Sequence, residues 1–300
     1  MRRIIIIAAL IVVPLFVYAQ RQQHFRKQLP AGNYSGICAI GNDCFALVDD
    51  KAPTDGFRLV RILFDADRQR ISSLEDLGYR SSGLPNRDME GICYRPSTNT
   101  LFISGEADNE VYEYTLDGQR TGRRLAMPDA VKRASHNFGL EALTYDAVNH
   151  LFFTTTERPL PGDSTLRILA FGDDLQLKHT YHYQPDAPVN RKYFHGVSEL
   201  CALDDGRLLV LERQIRVPRL KIGAKTLIRI YEVSPGSDEH LQKQLVTEFR
   251  TRLSITSRQF ANFEGLCQVS PSLLLLIADS QNQYKGILRD WLRIISNSNY

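Results

Sequence analysis

Short apolar runs recur along the chain, and each of them ends at an acidic residue. They occupy residues 45–50, 101–106, 151–157, 208–212 and 273–279. Such short runs, bounded by turn-forming residues, are typical of buried β-strands rather than of helices. Fourteen to sixteen residues before each acid stands a repeated phrase, which reads SGIC, EGIC, EALT, SELC and EGLC and begins at Ser35, Glu90, Glu141, Ser198 and Glu264.

A period of roughly 50 to 65 residues built from short strands predicts a β-propeller. The second repeat is the clearest, because turn residues divide it into four short segments at 90–94, 100–104, 110–116 and 119–125. Four antiparallel strands form one propeller blade. Five repeats predict five blades, while a sixth blade within residues 51–88 or 213–262 stays open as an alternative. No helix of consequence is expected.

The last repeat contains only three predicted strands, of which the third lies at residues 287–295. Residues 21–28, which precede the first repeat, are expected to supply the missing fourth strand. This arrangement would close the ring and leave no unpaired strand edge between the first and last blades.

The first nineteen residues differ from the rest of the chain. Arg2 and Arg3 precede an apolar stretch at residues 4–17, and small residues follow it, which is the pattern of a secretory signal. We expect cleavage near Gln20, with an uncleaved N-terminal anchor as the alternative. The expected product is a periplasmic or secreted single domain, residues 20–300, without a stable membrane span, and we expect it to be a monomer.

Charge and cysteine content exclude some functions. Without residues 1–19 the chain has 35 basic and 34 acidic residues, so no net charge favours nucleic acid. Five cysteines cannot all pair, and four of them stand at the same place in their repeats, as small buried residues would. Whether Cys38 and Cys44 form a disulfide bond across their hairpin is left open.

The two sets of repeated polar residues should meet at one mouth of the central channel. Because the first strand of each blade lines the channel and the second runs back beside it, their start and end lie at the same height. The inner ring is predicted to contain Ser35, Glu90, Glu141, Ser198 and Glu264. The second ring is predicted to contain Asp50 (or Asp49), Glu106, Glu157, Glu212 and Asp279.

Crowded carboxylates require a compensating cation, and Ca²⁺ suits oxygen-rich sites of loose shape. The second-ring acids are therefore candidate calcium ligands, and Glu90, Glu141 and Glu264 are candidate catalytic groups. Hydrogen bonding between blades is the alternative role for these residues. A serine nucleophile is not indicated, because the chain has no G-x-S-x-G motif.

Basic residues and histidines fall in the connections at the same mouth. Arg158 and Arg213 directly follow second-ring acids and could orient an anionic ligand, since arginine binds phosphate or carboxylate through two hydrogen bonds. Neutralisation of the acid of a neighbouring blade is the alternative role for these bases and for Lys51, which follows Asp50. His136 and His195 each precede an inner strand and are candidates for a general base or a metal ligand. Ser35 and Ser198 interrupt the inner ring of acids, so a ligand is expected beside them.

The ordered phrases SGI, DMEGI, GLEAL, LLVLER and NFEGL, followed by Asp279, resemble the esterase-like phytase family of exported bacterial β-propeller proteins. The resemblance covers roughly residues 34–281. It implies hydrolysis of phosphate esters or other esters, and a calcium-dependent enzyme whose acids hold metal that bridges to substrate phosphate. It identifies no catalytic residue.

Three functions are compatible with these patterns. The first is a calcium-assisted hydrolase of phosphate or other small anionic esters. The second is a propeller that binds an anionic ligand or a partner without catalysis. The third is a calcium-dependent lactonase-like enzyme, with Asn137 and Asn262 as further members of its site.

Overall fold

A computed structural model describes residues 22–67, 70–134, 138–219, 221–256 and 258–296. The predicted signal segment, His136 and Asn137 lie outside these residues. The described chain forms five antiparallel sheets of four strands each, arranged as the blades of a propeller. Among the described residues, no helix is long and apolar enough to cross a membrane.

Four blades are built from consecutive strands. The first contains β2 (Tyr34–Gly41), β3 (Cys44–Asp49), β4 (Thr54–Phe64) and β5 (Ile71–Pro85). The second contains β6 (Met89–Arg95), β7 (Thr100–Gly105), β8 (Glu110–Thr115) and β9 (Arg120–Arg124). The third contains β10 (Leu140–Asp146), β11 (Leu151–Thr156), β12 (Leu166–Gly172) and β13 (Leu177–Tyr183). The fourth contains β14 (Phe194–Ala202), β15 (Leu208–Arg216), β16 (Lys225–Val233) and β17 (Gln244–Arg252).

The fifth blade joins the two ends of the chain. It contains β18 (Asn262–Ser270), β19 (Leu273–Asp279) and β20 (Trp291–Ser296), and β1 (Gln22–His24) pairs with β20 as its outermost strand. The predicted closure is therefore confirmed, with a shorter strand than residues 21–28. The connections that left room for a sixth blade instead supply long strands of the first and fourth blades. Among the described residues, helical structure is limited to short 3₁₀ turns at Val131–Arg133 and Tyr284–Gly286.

Each hydrophobic core lies between two neighbouring blades. Ile37 and Leu47 of the first blade pack with Leu275 and Ile277 of the fifth, and these side chains are at most 1% exposed. Burial of this apolar surface stabilises the contact between the blades. The ring is consequently closed both by the β1–β20 pairing and by the core between its first and last blades.

The glycine of the repeated phrase permits this close packing. A Cβ atom at Gly91 would lie 2.6 Å from the backbone nitrogen of Leu143 in the next blade. A Cβ atom at Gly36 would lie 2.5 Å from the carbonyl oxygen of Glu90. The inner strands therefore approach one another backbone to backbone, which brings the residues before these glycines close together at the channel.

All five cysteines are free. Cys38 faces Ala46 across the first hairpin, whereas Cys44 faces Gly41, so the two cysteines are not opposite one another and the bridge considered from the sequence is not formed. Cys38, Cys93, Cys201 and Cys267 are buried at equivalent places of their blades, as expected for small packing residues.

The glycine contacts lead to a stability prediction. Gly91→Ala should lower the free energy of unfolding by about 1–3 kcal/mol, because the added methyl group has to displace the backbone of the neighbouring blade. Gly236→Ala is the matched control, since no atom lies within 4 Å of the added Cβ. Urea unfolding of the three proteins measures the difference. Equal stability of the two variants would contradict the close approach of the inner strands.

Candidate functional site

The strand registers bring the two sets of acids to one mouth of the channel. Asn262 pairs with Asp279 at one end of the fifth blade, and Leu140 pairs with Thr156 at the corresponding end of the third. Glu264 and Asp279 of the fifth blade therefore lie at the same mouth as Glu141 and Glu157 of the third blade. These side chains are largely withdrawn from water, which makes their mutual repulsion strong.

Arg213 is the cation that compensates much of this charge. It projects from β15, and its guanidinium contacts Glu264 of the fifth blade, Glu141 at 3.2 Å and Glu157 at 3.3 Å. Burial opposes the charged form of Arg213, but the three carboxylates outweigh it and hold the arginine pKa above its usual value. Gly196 lies opposite Arg213 in the sheet, and a Cβ atom there would lie 2.5 Å from Cγ of Glu157.

Glu212 does not join the second ring, contrary to the sequence prediction. Its carboxylate accepts hydrogen bonds from the Tyr183 hydroxyl at 2.6 Å, the Lys243 ammonium at 2.7 Å and the backbone N–H of Asp186. The physical reason is strand length. β15 continues to Arg216, so Glu212 is still inside the strand, and alternation turns it away from the face that Arg213 occupies. The second strands of the other blades end at or just before their acids.

A second acidic group lies between the first and second blades. One carboxylate oxygen from each of Asp50, Asp88 and Glu90 lies within 4.8 Å of the others. Lys51 is their cationic neighbour. Its ammonium lies 2.9 Å from Asp50 and also contacts Asp88, while its side chain stays 60% exposed. Oδ1 of Asp50 is buried without a hydrogen-bond partner among the described residues.

Asp88 was not predicted as a site residue. It has a left-handed backbone (φ 53°), which is uncommon for a residue with a side chain, and the Asn86 side chain accepts its N–H at 2.6 Å. Comparison of the repeats did not indicate Asp88, because the equivalent positions of the other blades hold no acid. Strand alternation could have indicated Asp88, because Asp88 and Glu90 lie on either side of Met89 and therefore point to the same face, opposite the fully buried Met89 side chain.

Burial and like charge raise several pKa values at the mouth. Burial is the main cause for Glu264, whose pKa rises to about 8 despite the opposing effect of Arg213. Burial likewise raises the pKa of Asp279 to about 7. Burial also raises the pKa values of Glu90 and Glu141 well above their usual range. The next largest cause is the charge of Glu141 for Glu90, and the charge of Glu157 for Glu141.

The remaining ring residues hold neighbouring structure in place. Glu106 accepts the backbone N–H of Gly139 at 3.1 Å, and burial raises its pKa. The Ser35 hydroxyl donates to the carbonyl of Met89 at 2.7 Å, and that of Ser198 lies 3.5 Å from the carbonyl of Leu211. Both serines are at most 3% exposed. Both hydroxyl groups therefore face backbone carbonyl groups, and a ligand beside these serines stays a prediction.

Arg158 and His195 lie together at the rim. Nε of Arg158 donates to the carbonyl oxygen of His195 at 3.1 Å, and its guanidinium lies 4.1 Å from the ring centroid of Phe138. Arg158 forms no ion pair within the described chain. Burial, and then the charge of Arg158, lower the pKa of His195, which keeps its imidazole neutral near pH 7. The predicted role of His136 cannot be placed, since it is outside the described residues.

Glu199 is a buried carboxyl group that the sequence did not single out. It stands where three other copies of the phrase have glycine and one has alanine, at a β-bulge in β14, and is 1% exposed. One of its oxygens accepts the N–H groups of Leu143 and Leu200, both at 3.0 Å. The other has no hydrogen-bond partner among the described residues, and burial raises the Glu199 pKa well above its usual range.

The residues of the mouth fit a hard divalent cation. Asp50, Asp88 and Glu90 offer only oxygen atoms, which Ca²⁺ prefers, and an ion would satisfy the unpartnered oxygen of Asp50. It would also offset charge that burial makes costly. Arg213 already compensates Glu141, Glu157 and Glu264, so a cation would be needed only by the acids around Asp50.

These features define a five-bladed propeller with a buried acidic mouth. The sequence matches the model of the family described as phytase-like, esterase-like activity of phytase, over residues 29–280. The chain belongs to this family. None of the curated proteins with which the sequence was compared matches it.

Solved structures with a similar course of the chain have low identity to it. A streptogramin B lyase has 11% identity and a TM-score of 0.45, with 92% of this chain and 98% of the other covered. A luciferin-regenerating enzyme has 11% identity and a TM-score of 0.48, with 92% and 95% covered. The PQQ-bound aldose sugar dehydrogenase of Streptomyces coelicolor has 13% identity and a TM-score of 0.41, with 89% and 81% covered. Likeness at this level says nothing about activity.

The raised pKa of Glu264 predicts a pH dependence of stability. An acid whose pKa is higher in the folded state stabilises the fold below its unfolded pKa, near 4.5, and this contribution is lost as the pH rises towards about 8. Without divalent cations, the melting temperature should therefore fall over this range more steeply in the wild type than in Glu264→Gln. An equal decrease of the melting temperature with pH in the two proteins would contradict the prediction.

Arg213→Gln should destabilise the protein by about 3–5 kcal/mol, because it removes from a buried network the cation and the contacts that Glu141, Glu157 and Glu264 share. Arg61→Gln is a matched control, since its ion pair with Glu75 is exposed. Chemical unfolding of both variants at pH 7 checks the difference. A loss below about 1 kcal/mol for Arg213→Gln would contradict the role given to this arginine.

Proposed function

We propose that this protein is a calcium-assisted hydrolase of phosphate or other anionic esters, with its active site at the acidic mouth of the channel. The observation that carries the proposal is the carboxylate group of Asp50, Asp88 and Glu90 beside the acids held by Arg213. Membership of the phytase-like family supports it. The signal-like segment at residues 1–19 supports an exported protein, which would meet Ca²⁺ outside the cytoplasm.

Asp50, Asp88 and Glu90 would hold the ion. Bound there, Ca²⁺ would draw charge from the ester and align it for attack by water. Lys51 now bridges Asp50 and Asp88, and its exposed side chain can leave when a divalent ion takes its place. The released ammonium would then be free to bind a substrate oxygen.

Basic side chains at the rim would bind the anionic group. Arg158 is held in place by its hydrogen bond to the His195 carbonyl and by the Phe138 ring, and its guanidinium has no carboxylate partner in the described chain. A preorganised arginine of this kind can bind phosphate through two hydrogen bonds. Arg213 would instead have the alternative role, because it binds glutamates of the neighbouring blades and so positions them.

Glu264 and Asp279 are suited to proton transfer. Their pKa values of about 8 and about 7 allow both protonation states near neutral pH, which is the condition for efficient general acid–base catalysis. Glu264 is fixed by Arg213 and by the side-chain amide of Asn262 at 2.7 Å. It could donate a proton to the departing oxygen, while neutral His195 could accept one at the rim.

Calcium titration by calorimetry tests the proposed metal ligands. The wild type should bind one Ca²⁺, Glu90→Gln should bind it at least tenfold more weakly, and Lys51→Met should bind it more tightly because the competing ammonium is gone. Glu75→Gln is the control, since this exposed carboxylate pairs with Arg61 on an outer strand. Weaker calcium binding by Lys51→Met would show that the lysine belongs to the site and would overturn the assignment.

Hydrolysis assays test the reaction itself. Purified protein should hydrolyse phosphomonoesters with Ca²⁺ and lose activity with a chelator, and Glu264→Gln should lower kcat by about a hundredfold or more. Aryl carboxylic esters and lactones in the same assay separate the lactonase-like alternative. Calcium and phosphate binding without turnover of any ester would identify a binding propeller and contradict the hydrolase.

A further inference from the structure

A cavity of about 260 Å³ opens beside the acidic mouth, between the fourth and fifth blades. Most of its walls come from the loops and strand ends that follow β15 and β19. The residues that line it are Ile215, Val217, Lys221, Ala224, Leu253, Phe260, Asn262, Asp279, Gln281, Tyr284, Ile287 and Leu288.

The body of the cavity is apolar. Ala224, Leu253 and Phe260 form a small buried cluster of their own, separate from the cores between the blades. Ile215, Ile287 and Leu288 pack against this cluster and remain partly exposed. Partly exposed apolar side chains around a cavity gain free energy when an apolar group enters and displaces water.

One end of the cavity is polar and belongs to the mouth. Asn262 donates its side-chain amide to Glu264 at 2.7 Å, while its Oδ1 is buried without a hydrogen-bond partner among the described residues. Asp279 pairs with Asn262 across the β18–β19 hairpin and interacts electrostatically with Asp50 of the proposed calcium site. A molecule that fills the cavity therefore ends next to the acids of the mouth.

The rim of the cavity carries positive charge. Lys221 and Tyr284 both line the cavity and are partly exposed, and the Lys221 ammonium lies 5.1 Å from the ring centroid of Tyr284. The site as a whole then combines an apolar cavity, a basic rim and a carboxylate-lined end. These elements match an amphiphilic molecule with one anionic group.

We propose that the substrate is a phosphomonoester whose alcohol portion is apolar, an aryl phosphate being the simplest case. The proposal rests on the hydrolase function proposed above. The ring enters the cavity and its phosphate lies at the mouth. Water adds to phosphorus, the bond from phosphorus to the aryl oxygen breaks, and the products are a phenol and inorganic phosphate.

The cavity is large enough for this role. An apolar protein cavity of about 150 Å³ is sufficient to bind benzene, so one of about 260 Å³ admits a substituted aromatic ring. A highly charged polyphosphate has no apolar part to place there. The geometry thus favours substrates with one phosphate group and a compact ring over polyphosphorylated ones.

Phosphonates test the proposal without hydrolysis, because their carbon–phosphorus bond does not break. Calorimetry with Ca²⁺ present should show phenylphosphonate binding about tenfold to a hundredfold more tightly than methylphosphonate. Ile287→Trp and Leu288→Trp should each fill the cavity from a connection outside the sheets. They should reduce this preference to less than about threefold while leaving methylphosphonate affinity unchanged. Val148→Trp, in an exposed turn of the third blade, should retain the full preference.

Equal affinity of the wild type for the two phosphonates would overturn the proposal. A phenyl preference that survives in both filled variants would also overturn it, because the ring would then bind elsewhere. The outcome is independent of turnover. Absence of hydrolysis together with a cavity-dependent phenyl preference would refute the hydrolase but retain the cavity as the binding site of an aryl phosphate.

Discussion

The close approach of buried carboxylates at the channel mouth is the constraint on which the rest of the site depends. Glu141 and Glu264 each begin a copy of the repeated phrase, Glu157 follows a second strand, and all three share one guanidinium, that of Arg213. Such charges cannot be withdrawn from water unless a cation or a proton compensates them. Arg213 compensates one part of the mouth, a raised pKa favours the protonated form of Asp279, and the group at Asp50 remains suited to a metal ion.

The fold creates this crowding through its packing. Glycines in the repeated phrase let the inner strands approach backbone to backbone, so the preceding residues of neighbouring blades are forced together. Apolar cores between the blades supply the free energy that holds the acids in place. The same scaffold leaves a cavity where the last connections do not pack fully against the fourth blade. A charged centre and an apolar cavity are thus consequences of one architecture.

The sequence predicted the features that repeat and missed those that do not. Five blades, their strand ladder and closure by the N-terminal strand followed from the period. The placement of Glu212 failed because it depends on where β15 ends, which the apolar run does not reveal. Asp88 and Glu199 were missed because other copies of the repeat have no acid at their positions. The pairing of Arg213 with acids of neighbouring blades was an alternative that the sequence offered, but its sharing among three carboxylates depends on side-chain positions that spacing does not reveal.

The central claim is that the mouth holds a divalent cation in place of the Lys51 ammonium. A crystal structure of the protein grown with excess Ca²⁺ tests this most directly. We expect an ion bound by oxygen atoms of Asp50, Asp88 and Glu90 at about 2.3–2.6 Å, with Lys51 turned away from Asp50 and Asp88. Lys51 still bridging these two carboxylates, with no ion at the mouth, would contradict it.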